Sequence, residues 1–143
     1  MARILVVDGD DRYRHVCAMD LRNEGHDVVT ASTGFDALRS MDETAPEVVI
    51  TEVQLPGMDG LDLMGRLLDR DRKLVVILNS ASCSYKDNFM SWAADACCQK
   101  SADGRELRGT VRRLVERRSS LLSPYVWRKE LAPHVGEETR RAS

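Results

Sequence analysis

Short apolar runs alternate with segments of helical periodicity along most of the chain. Four runs are rich in β-branched residues and have the length of buried strands, and a fifth run is a weaker strand pattern of small residues. We predict these strands at residues 3–8, 26–31, 47–52, 73–78 and 95–99. Apolar runs with few polar interruptions are typical of parallel strands that are buried on both faces. The pattern therefore predicts a central parallel sheet.

The segments between the strands place apolar residues at the spacing of one helix face. The first helix is predicted over residues 11–23, with an inward stripe of Val16, Ala18 or Met19, and Leu21. Further helices are predicted after Gly34, after Gly60, near residues 85–92 and over residues 103–118. Five strands alternating with five helices indicate an α/β fold, a doubly wound sheet covered on both faces by right-handed crossovers.

The length of 143 residues suits one domain with an ordinary core. We assign residues 1–118 to this domain and residues 119–143 to a C-terminal tail or linker, because a Ser- and Pro-containing segment interrupts the last helical pattern. The tail has no clear period, but one short helix near residues 126–131 is possible, which would dock Trp127 and Leu131.

The composition gives no overall attraction to nucleic acid or to an anionic membrane. Charged residues make up 31% of the chain, but they nearly balance, with a net charge of -2. No apolar run reaches the roughly 20 residues that a membrane helix needs, and the N-terminus has no signal-peptide pattern. We therefore expect a cytoplasmic protein.

The four cysteines show no spacing typical of a zinc site. They are Cys17, Cys83, Cys97 and Cys98, without a CxxC pair. We expect them to be reduced and mostly buried, like other small apolar residues. The adjacent pair at 97 and 98 leaves a redox switch open as an alternative.

Polar residues follow the predicted strands at the edge where sheets of this kind place their sites. The carboxyl ends of strands one, three, four and five converge near the point where strand order reverses. We therefore expect seven residues to lie close together: Asp8, Gly9, Asp10, Asp11, Glu52, Ser80 and Lys100.

Four motifs in this order carry a resemblance to a known family. They are VVDGDD, ITEVQLPGMDG, LNSA and QKSA, each at the end of a predicted strand. With their spacing and element pattern, residues 3–118 resemble the receiver domain of two-component response regulators. The resemblance implies the flavodoxin-like (βα)5 fold with strand order 2-1-3-4-5.

The resemblance also implies a role for each residue at this edge. In the family, acids after strand one hold Mg²⁺ and an aspartate after strand three accepts a phosphoryl group. A Thr or Ser after strand four senses that group, and a Lys after strand five pairs with it. Asp8 and Gly9 stand at the acidic positions, Glu52 at the acceptor, Ser80 at the hydroxyl and Lys100 at the lysine.

Two departures from the family pattern argue against ordinary phosphorylation. Gly9 offers no side-chain oxygen to a metal that needs near-octahedral oxygen ligands. Glu52 carries its carboxylate about 1.5 Å further from the backbone than aspartate would, and about 1 Å of misplacement can slow an in-line transfer on the order of 100-fold. We expect weak or absent metal binding at Asp8 and Glu52, no cofactor and no enzymatic activity.

Several alternatives stay open at this stage. The runner-up is an active phosphoacceptor of a phosphorelay that uses Asp8, Asp10 or Glu52 with Mg²⁺ in a rearranged acidic site. An enzyme that hydrolyses a substrate with the acidic cluster lacks a nucleophile–base pair or a metal-ligand motif. If no phosphoryl group is transferred, Glu52 either mimics one in part, beside Lys100 and Ser80, or forms a structural ion pair with Lys100.

The expected output route is also altered. The family usually has an aromatic residue on strand five that swings inward, and Cys97 stands there. Ser101 replaces the proline that usually follows the lysine. Receiver domains commonly dock through the surface that corresponds to residues 85–118, so we expect a protein partner or self-association there, with a histidine kinase or phosphotransfer protein as candidate partners.

The last predicted helix is rich in arginine. Its basic residues are Arg105, Arg108, Arg112, Arg113, Arg117 and Arg118, against two glutamates. Such a run is most often a solvated face with exposed ion pairs, and a protein-docking face is the alternative. We do not expect nucleic-acid or membrane binding, because no recognition helix or basic-aromatic platform is visible.

Overall fold

The computed structural model describes residues 1–81 and 94–121. The helix predicted near residues 85–92 and the one near residues 126–131 lie outside these ranges. The described part contains a parallel sheet of five strands in the order β2-β1-β3-β4-β5. The predicted fold class and strand order are therefore confirmed. The strands are β1 (Arg3–Val7), β2 (Asp27–Ala31), β3 (Val48–Thr51), β4 (Val75–Ser80) and β5 (Ala96–Gln99).

Four helices accompany the sheet in the described residues: α1 (Asp11–Asn23), α2 (Gly34–Thr44), α3 (Gly60–Arg70) and α4 (Arg105–Leu121). The first three begin at side-chain caps. Asp10, Thr33 and Asp59 each accept backbone N–H groups of the first helical turn, which satisfies donors that have no partner within the helix. These caps fix where each helix leaves the carboxyl edge of the sheet.

The core has two parts, one on each face of the sheet. On one face, β-strand residues such as Ile4, Ile50 and Ile77 pack with the buried sides of α1 and α4. On the other face, Leu5 and Leu78 pack with α2 and α3. Because neighbouring strand residues point to opposite faces, the same strands supply both parts of the core.

Several details of the predicted elements are wrong. The last helix was placed at residues 103–118, but α4 begins at Arg105 and continues to Leu121, beyond the predicted start of the tail. The stripe on α1 consists of Cys17, Ala18 and Leu21, whereas Val16 and Met19 are 44% and 48% exposed. The face that fits the sheet is thus the one with the smaller residues. The sequence predicts that β4 ends at residue 78, but the strand continues through Ser80, because the buried Asn79 finds a hydrogen-bond partner in the Tyr13 hydroxyl.

Candidate functional site

The carboxyl ends of β1, β3 and β5 bring two acids and one base together. Val7 pairs with Thr51 in the sheet, so Asp8 and Glu52 leave adjacent strands at the same level. The N–H of Glu52 continues this pairing by donating to the Val7 carbonyl at 3.0 Å. Lys100 follows β5 and donates its N–H to the Ser80 carbonyl at 2.9 Å. The parallel register therefore positions all three side chains.

Lys100 bridges the two carboxylates. Its Nζ lies 2.7 Å from Asp8 Oδ2 and 2.7 Å from Glu52 Oε2. The side chains are 18%, 5% and 11% exposed for Lys100, Asp8 and Glu52, so water screens these contacts little. We call these three residues the ion cluster.

The remaining carboxylate oxygens of the ion cluster accept backbone N–H groups. Asp8 Oδ1 accepts from Asp10 N at 2.9 Å. Glu52 Oε1 turns back toward its own strand end, where it accepts from Val53 N at 2.7 Å and Gln54 N at 3.4 Å. All four carboxylate oxygens of Asp8 and Glu52 therefore have a donor.

The ion cluster keeps Lys100 charged. Burial lowers the pKa of Lys100, but its hydrogen bonds to Asp8 and Glu52 outweigh burial, and the pKa lies above the ordinary value of 10.5. The ring of Tyr13 also faces the ammonium, with 4.6 Å between Nζ and the ring centroid, a distance suited to a cation–π contact.

Asp10 and Asp11 do not contact Lys100, although we expected all the acids to lie in one pocket. Asp10 Oδ1 caps α1 by accepting from Arg12 N and Tyr13 N, each at 3.1 Å. Asp11 pairs with Arg14 at 2.6 Å, and its side chain is 87% exposed. Both acids are thus engaged at the start of α1, and the cluster has only two carboxylates.

The donor set at this edge is a poor fit for Mg²⁺. Among residues 1–81 and 94–121, no group of three His, Cys, Asp or Glu side chains is placed to hold a metal ion. Gly9 supplies no oxygen from its side chain, and a Cβ there would lie 3.1 Å from Pro56 Cδ. The two carboxylates of the ion cluster already share the Lys100 ammonium. They therefore offer few free oxygens to a cation that prefers six oxygen ligands.

Ser80 and Cys97 lie on neighbouring strands near the ion cluster. Ser80 is half-buried and pairs with Gln99 in the sheet. Cys97 is half-buried and packs against the core part that faces α2 and α3. It is disulfide-bonded, so the prediction of free, reduced thiols is wrong at this position. Cys17 and Cys98 are buried and free, as predicted.

Sequence reasoning missed two residues beside the ion cluster. The Asn79 side chain donates through Nδ2 to the Tyr13 hydroxyl at 2.7 Å, and Asn79 is only 2% exposed. The only sequence signal was a polar residue at the end of an apolar run, which usually marks the end of a strand. A tyrosine in the first turn of α1 gave no signal of its own.

A family comparison agrees with this arrangement. Residues 4–112 match the family described as response regulator receiver domain. The chain belongs to this family. The match covers the ion cluster, nearly all of the sheet and the first half of α4, so the resemblance drawn from the four strand-end motifs is confirmed at the level of the receiver domain.

Individual relatives show how far the similarity extends. The chain is 28% identical to the transcriptional regulatory protein AfsQ1 of Streptomyces coelicolor. The similar region covers 82% of this chain and 52% of AfsQ1. It is 30% identical to the virulence transcriptional regulatory protein PhoP of Salmonella typhi, over 99% of this chain and 62% of PhoP. The receiver domain thus spans about half the length of the curated relatives it matches.

Solved structures give the same result. The response regulator TrrA of Thermotoga maritima, crystallised with Mg²⁺ and BeF, superposes with a TM-score of 0.75 at 33% identity, over 80% of this chain and 99% of TrrA. TrrA has also been crystallised in complex with the histidine kinase ThkA.

In the part of the receiver domain that the structure describes, no helix is long and apolar enough to cross a bilayer.

Proposed function

We propose that this receiver domain of two-component signal transduction works through protein contacts, without Mg²⁺-dependent phosphorylation at position 52. The observation that carries the proposal is the ion cluster, in which every carboxylate oxygen of Asp8 and Glu52 already accepts a hydrogen bond. A phosphoryl group on Glu52 would have to displace these donors. In addition, Gly9 stands at one of the two positions where the family carries a metal-binding acid.

The curled conformation of Glu52 supports the same proposal. Its Oε1 lies 2.7 Å from the N–H of the next residue, so the side chain folds back on β3 instead of extending away from it. A nucleophile for in-line phosphoryl transfer needs an oxygen that faces the donor. Here one oxygen faces the backbone and the other faces Lys100.

Glu52 supplies a fixed negative charge in this proposal. The contact with Lys100 fits both interpretations drawn from the sequence, a partial phosphoryl mimic and a structural ion pair. A mimic would stay incomplete, because a carboxylate brings one charge and two oxygens where a phosphoryl group brings about two charges and three oxygens. Loss of partner binding in Glu52→Gln, with the fold intact, would favour the mimic.

The proposal includes no enzymatic activity and no cofactor, and it places the receiver domain in the cytoplasm. For the partner we propose a histidine kinase or phosphotransfer protein, as in the complex of TrrA with ThkA, or a second copy of this chain. We place the contact within residues 85–118, where Arg105 and Arg113 are exposed on α4. Arg112 of the same helix is also exposed, but it is paired with Glu24 at 2.6 Å.

Intact-mass spectrometry after incubation with acetyl phosphate and Mg²⁺ tests the proposal. We expect no mass increase of one phosphoryl group in the wild type. Glu52→Asp and the double variant Gly9→Asp with Glu52→Asp are the matched comparisons, because they restore the acids that the family pattern carries. A stoichiometric adduct on the wild-type protein, lost in Glu52→Gln, would contradict the proposal and favour an active acceptor in a rearranged site.

A further inference from the structure

The Lys100 ammonium has a third neighbour besides its two carboxylates. An ammonium carries three N–H donors, and two of them have acceptors in Asp8 and Glu52. The ring of Tyr13, 4.6 Å from Nζ, covers a further side. A ring in this place attracts the cation through its π face and keeps water away from it.

Tyr13 is itself held at both ends. Its backbone N–H donates to Asp10 Oδ1 at 3.1 Å, which anchors the residue in the first turn of α1. Its hydroxyl accepts from Asn79 Nδ2 at 2.7 Å, from a strand 66 residues away in sequence. The pKa of Tyr13 is raised, by burial first, while the hydrogen bond from Asn79 acts in the opposite direction. The phenol therefore stays neutral.

Asn79 occupies a position where an apolar residue would be expected. It follows Ile77 on the face of the sheet that packs with α1 and α4, and it is 2% exposed. Its Oδ1 has no hydrogen-bond partner among the described residues. A buried amide of this kind destabilises a fold, so core packing alone does not explain it. Among the described residues, the one hydrogen bond of the Asn79 side chain is the one that fixes Tyr13.

We propose that Tyr13 and Asn79 are positioning residues for Lys100. Asn79 fixes the phenol, the phenol fixes the ring, and the ring holds the Lys100 ammonium against Asp8 and Glu52. The ion cluster is thereby tied to the face of the sheet that packs with α1, while Ser80, the next residue of β4, points to the other face. This inference rests on the proposed function only in giving the closed cluster a signalling role.

Hydrogen exchange of the Lys100 ammonium with water tests this proposal. It is followed by the ¹⁵N resonance of Nζ at low temperature, assigned by its loss in Lys100→Arg. The double variant Tyr13→Phe with Asn79→Leu keeps the ring but removes both hydrogen-bonding groups, a change that can be nearly neutral for folding. We expect exchange to become faster on the order of 5-fold in the double variant, and faster still in Tyr13→Leu, which removes the ring.

A second, partly buried polar contact on the same face provides the control. Cys98 Sγ donates to Thr110 Oγ1 at 3.4 Å and so joins β5 to α4 without contacting Lys100. Thr110→Val should leave the Lys100 exchange rate unchanged even where it lowers stability. Wild-type exchange rates in Tyr13→Leu or in the double variant would overturn the proposal and leave Tyr13 and Asn79 as a plain link between α1 and β4. Should the double variant fail to fold, the single Tyr13→Phe and Tyr13→Leu variants decide.

The two proposals fail separately. The exchange measurement uses no phosphodonor and no Mg²⁺, so it reports on the ion cluster whether or not position 52 accepts a phosphoryl group. A phosphate adduct on the wild type with fast exchange in Tyr13→Leu would contradict the proposed function and uphold the positioning role. No phosphate adduct on the wild type, together with an unchanged exchange rate in Tyr13→Leu, would support the proposed function and contradict the positioning role.

Discussion

Glu47 and Glu52 stand directly before and after β3, and their surroundings differ. Glu47 Oε1 accepts from Arg3 N at 3.0 Å, and its carbonyl accepts from Val75 N at 3.1 Å, so the residue extends the pairing of the sheet. Glu52 also accepts backbone N–H groups, but its second oxygen faces an ammonium that a buried aspartate shares. One residue type thus serves pairing at one end of the strand and a charged site at the other.

The difference comes from the elements that surround each end. At the carboxyl ends of the strands, loops from β1, β3 and β5 meet at the reversal of strand order, and each contributes one charged side chain. At the amino ends, the chain enters the strands with backbone groups that still need partners, and Glu47 satisfies one of them. Topology, more than residue type, therefore decides which of the two acids belongs to a site.

The largest expected effect comes from removing the shared cation. Lys100→Met leaves two carboxylates, 5% and 11% exposed, without their counter-ion. We expect the free energy of unfolding to fall by about 3 to 5 kcal/mol in urea denaturation. The exposed Lys73 is the control, and Lys73→Met should change stability by less than about 0.5 kcal/mol. An equal change in the free energy of unfolding for the two variants would show that the ion cluster does not stabilise the fold.

The next effect tests how tightly the carboxyl end of β3 is packed. A Cβ at Gly60 would lie 2.2 Å from the Glu52 carbonyl oxygen and 2.8 Å from Val53 Cα, and these backbone atoms cannot move cheaply. We expect Gly60→Ala to lower the free energy of unfolding by about 2 to 3 kcal/mol.

Gly65 provides the matched control in the same helix. A Cβ there meets no atom within 4 Å, so Gly65→Ala should raise stability by about 0.5 to 1 kcal/mol through helix propensity. A neutral Gly60→Ala would show that the strand end adjusts freely and would weaken the case for a fixed Glu52.

Substitution of either glutamate beside β3 is expected to lower the free energy of unfolding by a smaller amount. Glu52→Gln removes one of the two charges that hold Lys100, and we expect a loss of about 1 to 2 kcal/mol. Glu47→Gln keeps an oxygen for Arg3 N and should lose less than about 1 kcal/mol. Chemical denaturation of both variants under the same conditions checks this order. Equal losses would contradict the distinction drawn between the two ends of β3.

The smallest effect concerns pH at the amino ends of the strands. Burial first, and the N-terminal amino group second, lower the pKa of His26 below 6.5, while Glu24 opposes them. Its Nδ1 accepts from Ala2 N at 3.1 Å, a bond that the neutral ring favours.

The unfolded chain binds the His26 proton more tightly than the folded one. The contribution of neutral His26 to the free energy of unfolding is therefore fully present above pH 6.5 and is lost as the pH falls below that value. Unfolding curves between about pH 7.5 and about pH 5.5 should show a shallower fall in stability for His26→Asn than for the wild type. Parallel curves would contradict this assignment.

Much of the fold followed from local pattern. The bounds of α1 and the parallel sheet agree with what periodicity and crossover handedness predict, and the strand order agrees with what the family resemblance implied. The site was predictable to the extent that parallel strands bring their ends together, which placed Glu52 beside Lys100. The same reasoning could not separate Asp8 from Asp10 and Asp11, since the capping of α1 depends on backbone angles that the sequence does not give.

Two of the errors share one physical cause, which is that tertiary contacts override local preference. Asn79 has a turn-forming side chain, yet it lies inside β4 because the Tyr13 hydroxyl accepts its amide. Val16 is more apolar than Cys17, yet Cys17 is buried, because helix orientation is set by the best fit of the whole face. The disulfide at Cys97 had no sequence signal, since cysteine spacing does not give pairing.

The approach of Gly9 to Pro56 has a consequence for reversibility. A single change at Gly9 would bring a new side chain to 3.1 Å from the proline ring, while a single change at Glu52 would shorten the acid and leave the metal ligand missing. On the proposed function, neither step alone regains the lost chemistry. On that proposal, Mg²⁺-dependent phosphorylation would need coordinated substitutions in two loops, one at Gly9 and one at Glu52.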